Sequence, residues 1–368
     1  MRSYLMLYRF FCLSVLSVLI AGCAEEAAKN TDQVDKTQTV YNWRMVTTWP
    51  KNFPGLGVAP ETLATRVAKM SKGRLNIKVY GAGEVVPAME VFEAVSQGSA
   101  QMGHGAAYYW KGKVPIAQFF TAIPFGLTAQ EMNGWLLYGG GLDLWRELYA
   151  RFNLVPIPGG NTGVQMAGWF NKEINSLEDI QGMKMRIPGL GGEVFDRAGG
   201  EPIQTPGGEI FTSLQTGVID AAEWVGPYND LAFGLHQVAK YYYYPGWQEP
   251  GPTLEVIVNK EAYDSLPEDL QEILTVASLA SNLDMLAEYT ARNNAALVEL
   301  VEQHGVEVRR LPDDVIEEFK RLSLEVTEEI IDDDPLSQRI YKSYKAYYEG
   351  VVDFHEISEK AYINTRGN

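Results

Sequence analysis

The sequence predicts an α/β protein of two related lobes joined by a very long bridging helix and closed by C-terminal helices. Three observations carry that reading. Short extended runs alternate with helical ones from Tyr41 onward, a pattern at 90–102 returns 119 positions later, and a helical period persists unbroken over 265–305. The chain has 368 residues, 46% hydrophobic and 21% charged, which is the balance of an ordinary globular protein and length enough for two cores.

The elements follow in order. "WRMVTTW" (43–49) reads as a strand and "APETLATRVAKMSKG" (59–73) as a helix, with Pro60 suited to an early turn and Gly73 to a stop. "RLNIKVYG" (74–81) alternates like a strand, and "AMEVFEAVSQG" (88–98) is helical again. A βαβα order implies a mostly parallel sheet flanked by helices. "EVFEAVSQGSAQM" (90–102) then lies on "EIFTSLQTGVIDA" (209–221), pairing Glu90 with Glu209, Phe92 with Phe211 and Gly98 with Gly217. The shared glycine stop and shared context indicate a duplicated lobe. Over 265–305 Ser265 is placed to cap, Glu268 to complete the capping box and Gly305 to stop a helix of about 60 Å, longer than one lobe is wide. Helical stretches at 313–332 and 336–362 complete the chain.

At the N-terminus Arg2 and Arg9 precede "FFCLSVLSVLIAGC" (10–23), too short for a comfortable membrane span, so 1–22 reads as a secretory leader. Ile20-Ala21-Gly22-Cys23 resembles a bacterial lipobox, which implies cleavage before Cys23 and acylation of its thiol. No cysteine follows it, so the mature chain has no disulfide, and polar residues 23–40 read as a flexible tether. The resulting layout is lobe one at 41–164, to which 253–305 returns and from which it bridges, lobe two at 165–252, and C-terminal helices at 306–368 that suit a homodimer. Loss of the leader takes the formal net charge from −16 to −18, and phosphate contacts need a basic face, so nucleic acid is excluded as a partner. An anionic ligand would need positive charge inside the protein. Arg186 in "MKMRIPG" (183–189) is a candidate, although alternation alone, with Met183, Met185 and Ile187 on one face, also permits a solvent-facing arginine.

"INSLEDIQGMKMRIPG" (174–189), "GGEIFTSLQTGVIDAAEWVGPY" (207–228) and the long helix together resemble the solute-binding subunit of tripartite ATP-independent periplasmic (TRAP) transporters, from Tyr41 to the C-terminus. That resemblance implies a periplasmic-binding-protein fold with the ligand cleft between the lobes and delivery to membrane permease subunits. It also implies that Arg186 pairs with the carboxylate of an organic acid, for which a guanidinium offers two parallel hydrogen bonds.

"TGVQMAGWF" (162–170), "DAAEWVGPYNDL" (220–231) and "YYYYPGWQEPGPTLEVIV" (241–258) resemble the branch that binds 2-oxo or 2-hydroxy monocarboxylates with a cation. On that resemblance Gln165, Glu223, the Trp224 carbonyl and Glu249 are metal ligands, and Gln165 also meets the substrate. Charge counting agrees. Two buried carboxylates and an anionic substrate exceed Arg186 alone, and oxygen donors suit Ca²⁺ or Na⁺, either of which remains open. Tyr108, Tyr109 and Trp110 in "HGAAYYWKG" (104–112) are expected near the cleft mouth, with Tyr108 donating to the ligand, Asn161 hydrogen bonding to it and Phe125 closing over a small methyl group.

Other classes fit less well. There is no G-x-S-x-G, H-E-x-x-H or mature cysteine nucleophile, and "GLGGEVFDRAGG" (189–200) has Val194 where a dinucleotide motif needs its third glycine. A sensor subunit for a receptor, or a binder of a dicarboxylate or sugar acid without metal, are the alternatives.

Overall fold

The computed structural model describes residues 39–367. The leader, the proposed acylation site Cys23 and the tether up to residue 38 lie outside the described residues. Eleven strands are described: β1 (Tyr41–Thr47), β2 (Leu75–Tyr80), β3 (Met102–Gly105), β4 (Leu154–Asn161), β5 (Gly168–Phe170), β6 (Lys184–Arg186), β7 (Glu201–Ile203), β8 (Ala221–Ala222), β9 (Tyr241–Tyr244), β10 (Thr253–Asn259) and β11 (Glu307–Arg310). They form two sheets, ordered β2-β1-β3-β10-β4 in lobe one and β11-β9-β5-β8-β6-β7 in lobe two. Helices cover the sheets, so strands such as β10, buried at every residue, read as apolar runs rather than alternations.

The duplication is visible in both registers. The turn Ala88–Glu90 leads into helix Val91–Ser96, and Gly207–Glu209 leads into helix Ile210–Thr216. Gly98 and Gly217 then turn the chain at φ +76° and +73°, a left-handed conformation costly for residues with a Cβ. In lobe one Met102 and Gly103 lie opposite Met45 and Val46 of parallel β1; in lobe two Ala221 and Ala222 lie opposite Met185 and Arg186 of parallel β6. Val46 therefore occupies in the first lobe the place that Arg186 holds in the second.

Two extended segments cross between the lobes, from β4 to β5 and from β9 to β10. The Gln165 N–H donates to the Glu249 carbonyl at 3.1 Å and ties them together. The approach is so close that a Cβ on Gly246 would lie 2.0 Å from the Gln165 carbonyl oxygen. The bridging helix is Glu268–Glu302, 35 residues or about 52 Å, and packs on β4 as well as on helices Val58–Met70 and Pro227–Phe233. It starts later than the sequence suggested. Pro267 occupies its N-cap position, and the Ser265 hydroxyl instead donates to the Ala262 carbonyl, closing the short helix Lys260–Asp264.

The C-terminal segment also needs correction, because 306–368 is not helical throughout. β11 adds a parallel edge to β9, a four-residue charged strand that pattern alone does not announce. Helix Asp313–Glu329 buries Val315, Phe319, Leu322 and Val326 against helix Gly189–Arg197. Most of this helix's apolar face is thus consumed within the chain, Leu324 remaining 66% exposed. Helix Pro335–Ile357 seats Leu336, Ile340 and Tyr344 on lobe one, with Tyr344 edge-on to Phe119 and Trp135 at 5.1 Å each.

Candidate functional site

Arg186 ends β6 at the carboxyl edge of the lobe-two sheet, where open α/β sheets place their ligands. It is 1% exposed, whereas Lys184 on the same face is exposed. Its Nη1 donates to the Glu223 carbonyl at 2.8 Å and forms an ion pair with the Glu223 carboxylate. Nη2 points at the Tyr109 hydroxyl (3.4 Å), Nε reaches the Thr205 carbonyl (3.5 Å), and the Trp224 ring lies 5.1 Å from the guanidinium carbon. Burial disfavours the charged guanidinium, but Glu223 and neighbouring groups outweigh it and raise its pKa.

Glu223 and Glu249 are both fully enclosed. Burial pushes Glu223 up to about 7, with Arg186 pulling down and Asp230 pushing up. Glu249 is raised well above the carboxylate range by burial and then by the charge of Glu223. Gln165 Nε2 donates to Glu249 Oε2 at 2.8 Å, and the Tyr108 hydroxyl approaches the same oxygen at 3.5 Å. The structure therefore brings Arg186, Glu223, Glu249, Gln165, Trp224 and Tyr108 into one buried cluster.

That cluster is chemically incomplete by itself. Gln165 Oε1, Glu223 Oε2, Gln248 Oε1, Thr205 Oγ1 and Trp224 Nε1 are buried without a hydrogen-bond partner. Buried polar atoms are nearly always satisfied, so five orphans around one arginine describe a binding site. Two of the five are amide oxygens, which can only accept, and a third belongs to Glu223, beside the Glu249 carboxyl group and one cation. This donor set fits a hard metal ion, which Glu223, Glu249 and Gln165 would hold.

The other predicted residues fall around or away from the cluster. Trp110 turns into lobe one, donating to Glu255 at 2.5 Å and packing on Phe92, so of the three aromatics only Tyr108 and Tyr109 face Arg186 and Glu249. Asn161 is occupied at the crossing: Nδ2 donates to the Gly251 carbonyl (3.0 Å) and Thr253 hydroxyl (3.3 Å), and Oδ1 accepts from the Gly163 N–H (2.8 Å). Phe125 packs on Trp247 and lines a separate cavity of about 250 Å³ with Phe119, Leu324 and Tyr344.

Four residues escaped the sequence reading. Gln248 adjoins Glu249 in "WQEP" and donates to the Met166 carbonyl at 2.8 Å, so its position in the loop was an available signal. Thr205 and Asp230 carried none, and for His104 the repeat offset was the signal. His104 stands 119 positions before Glu223. It accepts from the Trp49 indole at 2.7 Å through Nδ1 and meets the Gly159 carbonyl at 3.3 Å through Nε2, and burial lowers its pKa to about 4, so it is neutral.

Comparison with known proteins identifies the family. Residues 45–334 match the family model of bacterial extracellular solute-binding proteins, family 7. The monocarboxylate 2-oxoacid-binding periplasmic protein of Nostoc sp. is 44% identical over 352 residues, covering 96% of this chain and 95% of that protein. A TRAP periplasmic solute-binding protein of Pseudoalteromonas atlantica, crystallised with sodium and pyruvate, is 44% identical with a TM-score of 0.86, covering 89% of this chain and 99% of its own. Its counterpart from Colwellia psychrerythraea, with calcium and pyruvate, is 43% identical with a TM-score of 0.85 and the same coverage.

Proposed function

This chain belongs to the bacterial extracellular solute-binding proteins of family 7, and we propose that it captures a small 2-oxo or 2-hydroxy monocarboxylate of the pyruvate type, together with Ca²⁺ or Na⁺, for a TRAP permease. It acts in the periplasm. The observation that carries the reading is the buried arginine surrounded by orphaned acceptors. Arg186 takes the substrate carboxylate, and Tyr108 donates a hydrogen bond from the lobe-one side. Gln165, Glu223, Glu249 and the Trp224 carbonyl hold the cation. The cation supplies the positive charge that lets two carboxylates and an anionic substrate share one enclosed cleft.

Binding proceeds without chemical turnover. The lobes, divided near 165 and 252, close about the two crossing segments, and the closed form docks on the permease. Cys23 anchors the mature chain to lipid through the tether. Terminal helices Pro335–Ile357 and Glu359–Thr365 expose Phe354, Ile357, Tyr362 and Ile363, an apolar face that suits a homodimer. Light-scattering mass equal to one chain at micromolar concentration removes the dimer.

Calorimetric titration with a panel of acids tests the reading. Pyruvate, 2-oxobutyrate and lactate are expected to bind, and Arg186→Ala to lose all three. Silence from these acids together with binding of a dicarboxylate or sugar acid would overturn it.

A further inference from the structure

Asp230 belongs to no part of the binding set above, yet it is 1% exposed and bonded to the backbone just beyond Trp224. Its Oδ2 accepts from the Trp169 indole N–H (2.9 Å) and the Tyr242 hydroxyl (2.6 Å). Its Oδ1 accepts from the backbone N–H groups of Val225 (3.3 Å) and Gly226 (3.2 Å). Four donors converge on two oxygens and favour the ionised carboxylate against the burial that opposes it.

The Val225 N–H shares its peptide plane with the Trp224 carbonyl. Among the described residues the cis peptide bond is Tyr244–Pro245, so the Trp224–Val225 bond is trans and its carbonyl points opposite to its N–H, away from Asp230. Holding the N–H therefore sets the direction of the carbonyl oxygen assigned to the cation. The next peptide is held as well, because the Val225 carbonyl accepts from Met166 N–H (3.0 Å), in the segment that carries Gln165.

Charge is the second consequence. The backbone N–H groups that Asp230 holds are two and three residues beyond Glu223, which places its carboxylate beside the proposed cation site. Counting Asp230 with Glu223, Glu249 and the substrate gives four negative charges facing Arg186. A monovalent ion leaves two of them uncompensated and a divalent ion one, inside a region where uncompensated charge is costly.

We infer that Asp230 is a positioning residue that aims the Trp224 carbonyl at the cation and, by its charge, biases the site towards a divalent ion, Ca²⁺ over Na⁺. This rests on the cation-assisted reading above and sharpens it.

The test is pyruvate titration of the chelated protein at equal concentrations of Ca²⁺ and Na⁺, for the wild type, Asp230→Asn and Tyr242→Phe. The wild type is expected to bind at least tenfold tighter with Ca²⁺. Asp230→Asn should lower that ratio tenfold or more. Tyr242→Phe removes one donor but keeps both the charge and the grip on Val225, so its ratio should stay within threefold of wild type. A wild-type ratio near one, or one favouring Na⁺, overturns the inference without any variant having to fold. So does a loss of affinity in both variants at an unchanged ratio, the mark of a purely structural role. Absence of pyruvate binding by the wild type with either ion fails the underlying reading and this inference with it.

Discussion

The two lobes carry the same strand, turn and helix at an offset of 119 residues and finish it in opposite ways. In lobe one the copy ends in neutral His104, beside β1 with Val46 in the matching register position. In lobe two it ends in Glu223, beside β6 with Arg186. One scaffold thus builds an uncharged aromatic wall on one side of the cleft and an ionic grip on the other. The lesson is that duplication fixes where a side chain arrives, while the residue placed there decides what that position does.

The largest test of this asymmetry is Arg186→Ala. It removes the carboxylate clamp and leaves Glu223 enclosed without its partner, which costs about 3–5 kcal/mol for buried pairs of this kind. Loss of detectable pyruvate binding and a clearly lowered melting temperature are expected; normal affinity in calorimetry would place the ligand elsewhere. Glu223→Gln and Glu249→Gln each remove one charge from the proposed cation site. Pyruvate affinity should fall about a hundredfold, roughly 2.7 kcal/mol, with weakened dependence on added cation.

On the neutral side the predicted effect is one of stability. His104 titrates near 4 in the fold against an ordinary value of 6.5. The fold prefers the neutral ring, so its contribution is fully present above pH 6.5 and is lost as pH falls through about 4. By linkage this amounts to about 3 kcal/mol. His104→Gln keeps an acceptor for Trp49 and a donor for Gly159 but cannot protonate. Denaturant titrations between pH 4 and 7 should show a shallower loss at acid pH than in the wild type; identical curves would mean that His104 does not drive the loss.

Much of this was legible in the sequence. The repeat, the long helix, Arg186 in its motif and the glutamates in glycine- and proline-bounded loops all announced themselves, and the fold brings Arg186, Gln165, Glu223 and Glu249 together. What was hidden depends on depth and register. Alternation puts Lys184 and Arg186 on one face of β6 but cannot say that the first is exposed and the second enclosed. Asp230 looks like any acid in a short helix until Trp169 and Tyr242, 61 and 12 residues away in sequence, are seen to converge on it. Asn161 and Phe125 had suitable chemistry and other employment, in the crossing and beside Trp247.

The smallest effects belong to the shared glycines. A Cβ added at Gly98 or Gly217 would meet no atom closer than 3.7 Å, so alanine there suffers only the left-handed backbone, about 1–2 kcal/mol. Matched losses in chemical denaturation would show that the copies remain equivalent as scaffolds; a large difference would break the comparison.

The most direct measurement is calorimetric titration of pyruvate into protein stripped of divalent ions in sodium-free buffer, repeated after Ca²⁺ or Na⁺ is restored. The account predicts no binding in the stripped sample and recovery with cation. Full-affinity binding without any metal ion would contradict it, because the enclosed carboxylates of Glu223 and Glu249 would then tolerate the substrate's charge unaided.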